Sequence, residues 1–169
     1  MKIVLMGYMA SGKSAVGRIL SEKFNIQFID LDSFIEEKEQ LSISQIFDTK
    51  GEIYFRKIEG IYLKDLLNSK ESFVLSLGGG TPCYGNNMDC IAYKSSSFYL
   101  KASIDTIFER LKNETSQRPL VAAIGAENLK EYIAKHLFER APYYERAHHT
   151  IFVNNKNLDQ IVDEILLLR

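Results

Sequence analysis

The chain has 169 residues, a net charge of −1, and 46% hydrophobic and 25% charged residues, values of a single globular domain able to bury about 70% of its unfolded surface. That charge balance argues against wholesale nucleic-acid binding, and no apolar run approaches the ~18 residues of a membrane helix. Cys83 and Cys90 lie too far apart for a CxxC pair and lack a nearby histidine set. Reduced thiols in a cytoplasmic protein are therefore expected, as is the lack of a signal peptide ahead of an opening strand.

The first predicted strand, 2–6, carries Ile3-Val4-Leu5-Met6 and runs straight into Gly7-Tyr8-Met9-Ala10-Ser11-Gly12-Lys13-Ser14. This is G-x-x-x-x-G-K-[ST], a phosphate-binding loop, and a helix predicted over 13–23 gives it the strand–loop–helix setting that the motif requires. Glycines let successive backbone N–H groups turn inward toward phosphate oxygens, and the helix N-terminus adds partial positive charge. Nucleotide contacts are expected from Gly7, Ala10, Ser11, Gly12, Lys13, Ser14 and Ala15. Lys13 can reach the β- and γ-phosphates and Ser14 can bind Mg²⁺.

A second strand over 26–30 ends in Asp30-Leu31-Asp32. Two acids at i and i+2 on a strand end project the same way, and carboxylates there suit a Mg²⁺ shell and an acceptor hydroxyl. The plainer alternative makes Asp32 the N-cap of a helix over 32–39. Helices follow over 43–48 and 52–68. The second carries Arg56, which could simply pair with Glu52 at i−4.

The third strand, 72–77, leads into Gly78-Gly79-Gly80, where three missing Cβ atoms let bare backbone approach a ligand. No Asp ends this strand, so Asp30 is the best candidate for the metal role usually filled there. A helix over 84–93, a strand over 97–100 and a helix over 103–112 containing Arg110 come next. The polar, irregular stretch 113–126, with Arg118 in Ser116-Gln117-Arg118-Pro119-Leu120, reads as a mobile lid. A helix over 127–147, breaking near Pro142, carries Arg140. A strand over 150–153 and a helix over 157–168, with Ile161, Ile165 and Leu168 as its core stripe, complete the chain.

Five strands separated by helices predict an α/β three-layer sandwich with a parallel sheet flanked by helices, in one domain spanning 1–169. Ligands in such sheets bind beyond the carboxyl ends of the strands. His136, His148 and His149 have no metal-ligand spacing, and Tyr143 and Tyr144 read as helix packing.

Taken together, these residues carry a resemblance to shikimate kinase that runs nearly end to end. It rests on Gly7–Ser14, Asp30-Leu31-Asp32 with Ile35-Glu36, Gly51-Glu52 with Phe55-Arg56 and Glu59, Leu77-Gly78-Gly79-Gly80, Arg118-Pro119-Leu120, and Arg140-Ala141-Pro142-Tyr143-Tyr144. The resemblance implies the P-loop fold of nucleoside-monophosphate kinases, with a closing lid at about 113–126 and a substrate-binding helical region at about 32–60. It implies transfer of the ATP γ-phosphate to the 3-hydroxyl of shikimate in aromatic amino-acid biosynthesis, with Mg²⁺ as cofactor.

By the same resemblance, Asp32 holds the acceptor hydroxyls and is the candidate base. Arg56 and Arg140 grip the shikimate carboxylate, and Gly78, Gly79 and Gly80 contact the acceptor. Lys13 and Arg118 stabilise the transferring phosphoryl, and Arg110 lies near the region that covers adenine. Asp32 is expected to stay ionised, nothing in the sequence requiring a raised pKa. A monomer binding only these small molecules is expected. Two departures stand out: Thr81-Pro82-Cys83 where relatives usually show small residues, and Asn154-Asn155-Lys156-Asn157, which matches the adenine loop ambiguously.

Gluconate kinase is a rival with the same fold and another acceptor. A switch GTPase is disfavoured because Asp48-Thr49-Lys50-Gly51 does not end an apolar strand and Asn155-Lys156-Asn157-Leu158 puts Leu where guanine recognition needs Asp. A non-catalytic nucleotide-binding module would not need Lys13, Asp32 and Arg118 together.

Overall fold

The computed structural model describes residues 1–112 and 124–169. Its strands are β1 (Lys2–Met6), β2 (Gln27–Asp30), β3 (Phe73–Ser76), β4 (Ser96–Lys101) and β5 (His149–Phe152). Its helices are α1 (Lys13–Phe24), α2 (Leu31–Glu39), α3 (Ile43–Asn68), α4 (Asn87–Lys94), α5 (Ile104–Lys112), α6 (Ala126–Tyr144) and α7 (Leu158–Leu168), with a short 3₁₀ turn over Thr81–Cys83.

Among the described residues the strands form one parallel sheet in the order β2-β3-β1-β4-β5. Successive residues of β1, β3 and β4 are buried without alternation. Side chains alternate between the two faces of a strand, so unbroken burial means both faces are covered by helices. Ile3, Val4, Leu5, Phe73, Val74, Leu75, Phe98 and Leu100 form the centre of the core, each fully shielded from solvent. The three-layer reading of the sequence holds.

Local signals set most helix ends. Ser42 and Gln45 form a reciprocal capping box at the start of α3, and Asn157 and Gln160 form another at the start of α7. The two helices expected over 43–48 and 52–68 are limbs of one helix, kinked where Gly51 adopts φ 82°, ψ 169°. The helix expected over 84–93 is preceded by the 3₁₀ turn and starts only at Asn87. α6 passes through Pro142 and stops two residues later, at Tyr144, short of the expected 147.

The register explains why chemistry gathers at one edge of the sheet. Asp30 pairs with Ser76 across β2 and β3, and Ser76 pairs with Leu5 across β3 and β1. The carboxyl ends of these three strands therefore open together onto the turn that follows Met6.

Candidate active site

The turn between β1 and α1 is shaped for close approach of backbone. Gly7 has φ 146°, and a Cβ there would lie 2.7 Å from the Leu100 carbonyl oxygen, so a side chain cannot be placed. Gly12 is the N-cap of α1 and offers no side-chain cap. The first N–H groups of the helix thus keep their donor capacity toward an anion. Ala10 sits at φ 59°, in the left-handed region, at a cost of about 1 kcal/mol for a residue with a Cβ. Lys13 Nζ donates to the carbonyls of Gly7 at 3.0 Å and Tyr8 at 2.9 Å.

This loop lines a cavity of about 680 Å³ together with Asp30, Asp32, Ser76, Gly78, Gly79, Arg110 and the segment Lys156, Asn157, Leu158 and Ile161. Six of the seven expected nucleotide-loop residues, Ala10 to Ala15, are in the lining, and Gly7 is not. Arg110 reaches across from α5 to donate to the Ala10 carbonyl at 2.8 Å.

Asp30 carries two jobs at once. Its Oδ1 accepts from the backbone N–H groups of Asp32 at 3.2 Å and Ser33 at 3.4 Å, which caps α2. Its Oδ2 accepts from Ser14 Oγ at 3.0 Å, and Ser76 Oγ lies 3.4 Å from the same hydroxyl. The N-cap is therefore Asp30, not Asp32. The strand-alternation argument for the acidic pair also needs correction, because the strand ends at Asp30 and Asp32 belongs to the first turn of α2. The pair converges on the cavity through the cap geometry rather than through a shared strand face.

Asp32 is enclosed. Burial lifts its carboxyl from the ordinary 3.8 to about 6, Asp30, Glu59 and Glu36 add to the rise, and Lys13 opposes it. Nothing in the sequence alone requires a raised value, and the fold supplies the cause; above about pH 6 the group is still ionised. A Cβ on Gly78 would lie 3.0 Å from Asp32 Oδ1, so the glycine makes room for this carboxylate.

The arginines expected to share an acceptor converge on consecutive glycines. A Cβ on Gly80 would lie 2.8 Å from Arg56 Nη2, and one on Gly79 would lie 3.3 Å from Arg140 Nη1. Arg56 Nη1 donates to Glu59 at 2.8 Å, its Nε is 3.6 Å from Glu52, and its guanidinium lies 4.1 Å from the Tyr84 ring centre. Glu59 is itself buried and accepts from Thr81 Oγ1 at 2.7 Å. The expected Glu52 pairing exists, but the shorter, buried partner is Glu59. Arg140 lies over the Tyr8 ring at 5.6 Å. Arg56, Gly80 and Arg140 form no part of the cavity lining; they flank it where Gly78 and Gly79 enter it.

Some expectations fare differently. Arg118 and most of the proposed lid, 113–126, lie outside the described residues. Tyr144 packs, as expected, against Tyr99 with ring centres 5.1 Å apart, but its hydroxyl also donates to the Gly79 carbonyl. His148 Nδ1 sits 2.8 Å from Ser97 Oγ and His149 stacks on Phe98, structural roles for both. Sequence reasoning missed Ser76 and left Lys156 and Asn157 open. The rule applied to the ends of β2 and β3 would have found the latter pair, since they follow β5.

Among the described residues no group of three His, Cys, Asp or Glu side chains could hold a metal. The Ser14 hydroxyl and Asp30 carboxylate instead offer hard oxygens beside the phosphate loop. That donor set fits Mg²⁺ sharing its shell with phosphate oxygens and water.

Comparison with known proteins agrees with this geometry. The family model for shikimate kinase matches residues 9–168. The shikimate kinase of Flavobacterium johnsoniae is 49% identical over 98% of this chain and 96% of its own length. The chain belongs to the shikimate kinase family. The crystal structure of the shikimate kinase of Bacteroides thetaiotaomicron superposes with a TM-score of 0.92 at 30% identity, covering 99% of this chain and 97% of that one. The shikimate kinase of Acinetobacter baumannii, solved in complex with shikimate, gives a TM-score of 0.87 at 33% identity over 99% and 91% of the two chains. Family membership makes this chain an ATP-dependent phosphotransferase and removes the switch and binding-module readings. In the departure Thr81-Pro82-Cys83, Thr81 does structural work by fixing Glu59.

Proposed function

We propose that Asp32, Arg56, Arg140 and the glycines at 78–80 hold the acceptor while this kinase transfers the γ-phosphoryl group of ATP to the 3-hydroxyl of shikimate. The products are ADP and shikimate 3-phosphate, an intermediate on the route to chorismate and the aromatic amino acids. The observation that carries the division of labour is the approach of two guanidinium groups to Gly79 and Gly80, with the half-buried Asp32 carboxylate against Gly78. A planar guanidinium donates two parallel hydrogen bonds to a carboxylate, which suits an acidic acceptor. A carboxylate beside the attacking hydroxyl orients it and can take its proton.

Phosphoryl transfer needs alignment and charge neutralisation more than covalent chemistry by the protein. Lys13 and the N–H groups of the loop bind the β- and γ-phosphates, and Arg110 stands at the nucleotide end of the cavity. Arg118 is assigned to the transferring phosphoryl group by the family resemblance, and exclusion of water from the site would keep ATP from being hydrolysed. Ser14 and Asp30 would hold Mg²⁺, which supplies positive charge to the phosphate oxygens when bound.

We further take the enzyme to be a monomer of the cytoplasm, a compartment in which the thiols of Cys83 and Cys90 would stay reduced. Among the described residues no helix is long and apolar enough to cross a membrane. The function is tested by ADP release from Mg-ATP with shikimate, with gluconate and with no acceptor. Release with shikimate alone is expected; release with gluconate instead would reassign Arg56 and Arg140.

A further inference from the structure

The acidic residue at the far end of α2 has no part in the site, yet it gathers more partners than any surface ion pair needs. Glu39 Oε1 accepts from the Tyr62 hydroxyl at 2.7 Å. Its Oε2 accepts from the Tyr54 hydroxyl at 2.8 Å and from Lys50 Nζ at 3.1 Å. Lys50 also donates to the Tyr54 hydroxyl at 3.2 Å and lies over that ring at 4.5 Å. Both oxygens of one carboxylate are thus used, and only 10% of the side chain is exposed.

The donors come from both sides of the kink in α3. Lys50 closes the first limb, while Tyr54 and Tyr62 lie on the second, with Gly51 between them. A Cβ built on Gly51 meets nothing within 4 Å, so the side-chain position at the kink faces open space. Phe47 and Phe55 pack across it with ring centres 4.7 Å apart, and Glu36 accepts from the Ile43 N–H at 2.8 Å at the start of the first limb. Apolar packing resists separation but has little directionality. Charge-assisted hydrogen bonds are short and directional, and so fix an angle.

α2 and the second limb of α3 also carry the acceptor site. Asp32 lies in the first turn of α2, seven residues and about 10 Å of helix before Glu39. Arg56 lies two residues after Tyr54. We propose that Glu39 is a positioning residue that ties α2 to both limbs of α3 behind the site, so that Asp32 and Arg56 present one fixed spacing to the acceptor. The inference rests on the reading of Asp32 and Arg56 as acceptor ligands. The hydroxyls of Tyr62 and then Tyr54 also hold the Glu39 carboxyl below its ordinary range, in keeping with an ionised anchor.

The test is steady-state kinetics on Glu39→Gln and, separately, Tyr62→Phe, with Arg56→Ala in the same assay. If loss of the anchor leaves the competent spacing in about a fifth of molecules, the shikimate KM rises about fivefold. The ATP KM and the kcat at saturating shikimate should stay within about twofold, since bound acceptor restores the arrangement. A merely structural role would instead lower kcat or thermal stability with both KM values unchanged, and that result overturns the proposal. A raised shikimate KM in Arg56→Ala with none in Glu39→Gln and Tyr62→Phe removes Glu39 alone. An unchanged shikimate KM in Arg56→Ala removes the site reading, and this inference with it.

Discussion

Replacing Asp32 by asparagine removes a charge that the fold encloses at a cost, so the variant should lose its chemistry and gain stability. In the folded chain the carboxyl titrates at about 6, against the ordinary 3.8. A separation of about two pH units, at roughly 1.4 kcal/mol each, comes to about 3 kcal/mol. The sign follows from proton binding. The folded state holds this proton more tightly than the unfolded state, so the penalty is absent below about pH 4, grows through the interval from 3.8 to 6, and is complete above it. Asparagine has nearly the same shape, although its amide must find partners, which makes 3 kcal/mol an upper value. In a domain of this size each kcal/mol moves Tm by about 2–4 °C, so at pH 8 the variant should melt up to about 10 °C higher. By pH 5 the advantage should fall to roughly half, and by pH 4 it should nearly vanish. Thermal unfolding followed by circular dichroism at these three pH values measures it. ADP release with shikimate should be lost while ATP binding persists. A variant less stable than the native chain at pH 8, or an advantage independent of pH, would refute the burial argument; retained turnover would remove Asp32 from the mechanism.

The same carboxylate should give kcat/KM for shikimate an acidic limb, activity falling as pH drops through about 6, because kcat/KM reports groups of the free enzyme; a flat profile between pH 5 and 7 would contradict it. Arg140→Ala should raise the shikimate KM roughly tenfold to a hundredfold with the ATP KM little changed, the scale of a lost charge-assisted hydrogen bond. Arg140→Lys should restore little of this, since an ammonium cannot form the two-pronged contact; an unchanged acceptor KM in the alanine variant would exclude the grip. Tyr144→Phe keeps the ring against Tyr99 but frees the Gly79 carbonyl. It should cost about 1 kcal/mol of stability and weaken shikimate binding, and equal stability and affinity would show that the hydroxyl does not hold the glycine loop.

What could be read from the chain, and what could not, divides by the range of the interaction. The phosphate loop, the Asp-x-Asp pair and the three glycines each follow directly on a strand, so local pattern and the rule about strand ends sufficed. The local geometry of Asp30-Leu31-Asp32 was not legible because strand and helix meet there. Only the backbone shows that Asp30 caps the helix and that Asp32 begins its first turn. Glu52 was the visible partner of Arg56 at helical spacing. The buried Glu59 is also at helical spacing, but its choice depends on Thr81, 22 residues away. Ser76, Tyr144 and the anchor at Glu39 depend on register and packing between distant segments, for which a single sequence carries no periodic signal. Asp32's raised pKa has the same origin, since burial is a property of the assembled fold.

The central claim is that shikimate sits with its carboxylate on Arg56 and Arg140 and its reacting hydroxyl on Asp32. The most direct measurement is a crystal structure of the chain with shikimate and ADP. The account predicts the carboxylate within hydrogen-bond reach of both guanidinium groups beside Gly79 and Gly80, and a ring hydroxyl on the Asp32 carboxylate. Shikimate bound with its carboxylate away from both arginines, or with no hydroxyl on Asp32, would contradict it.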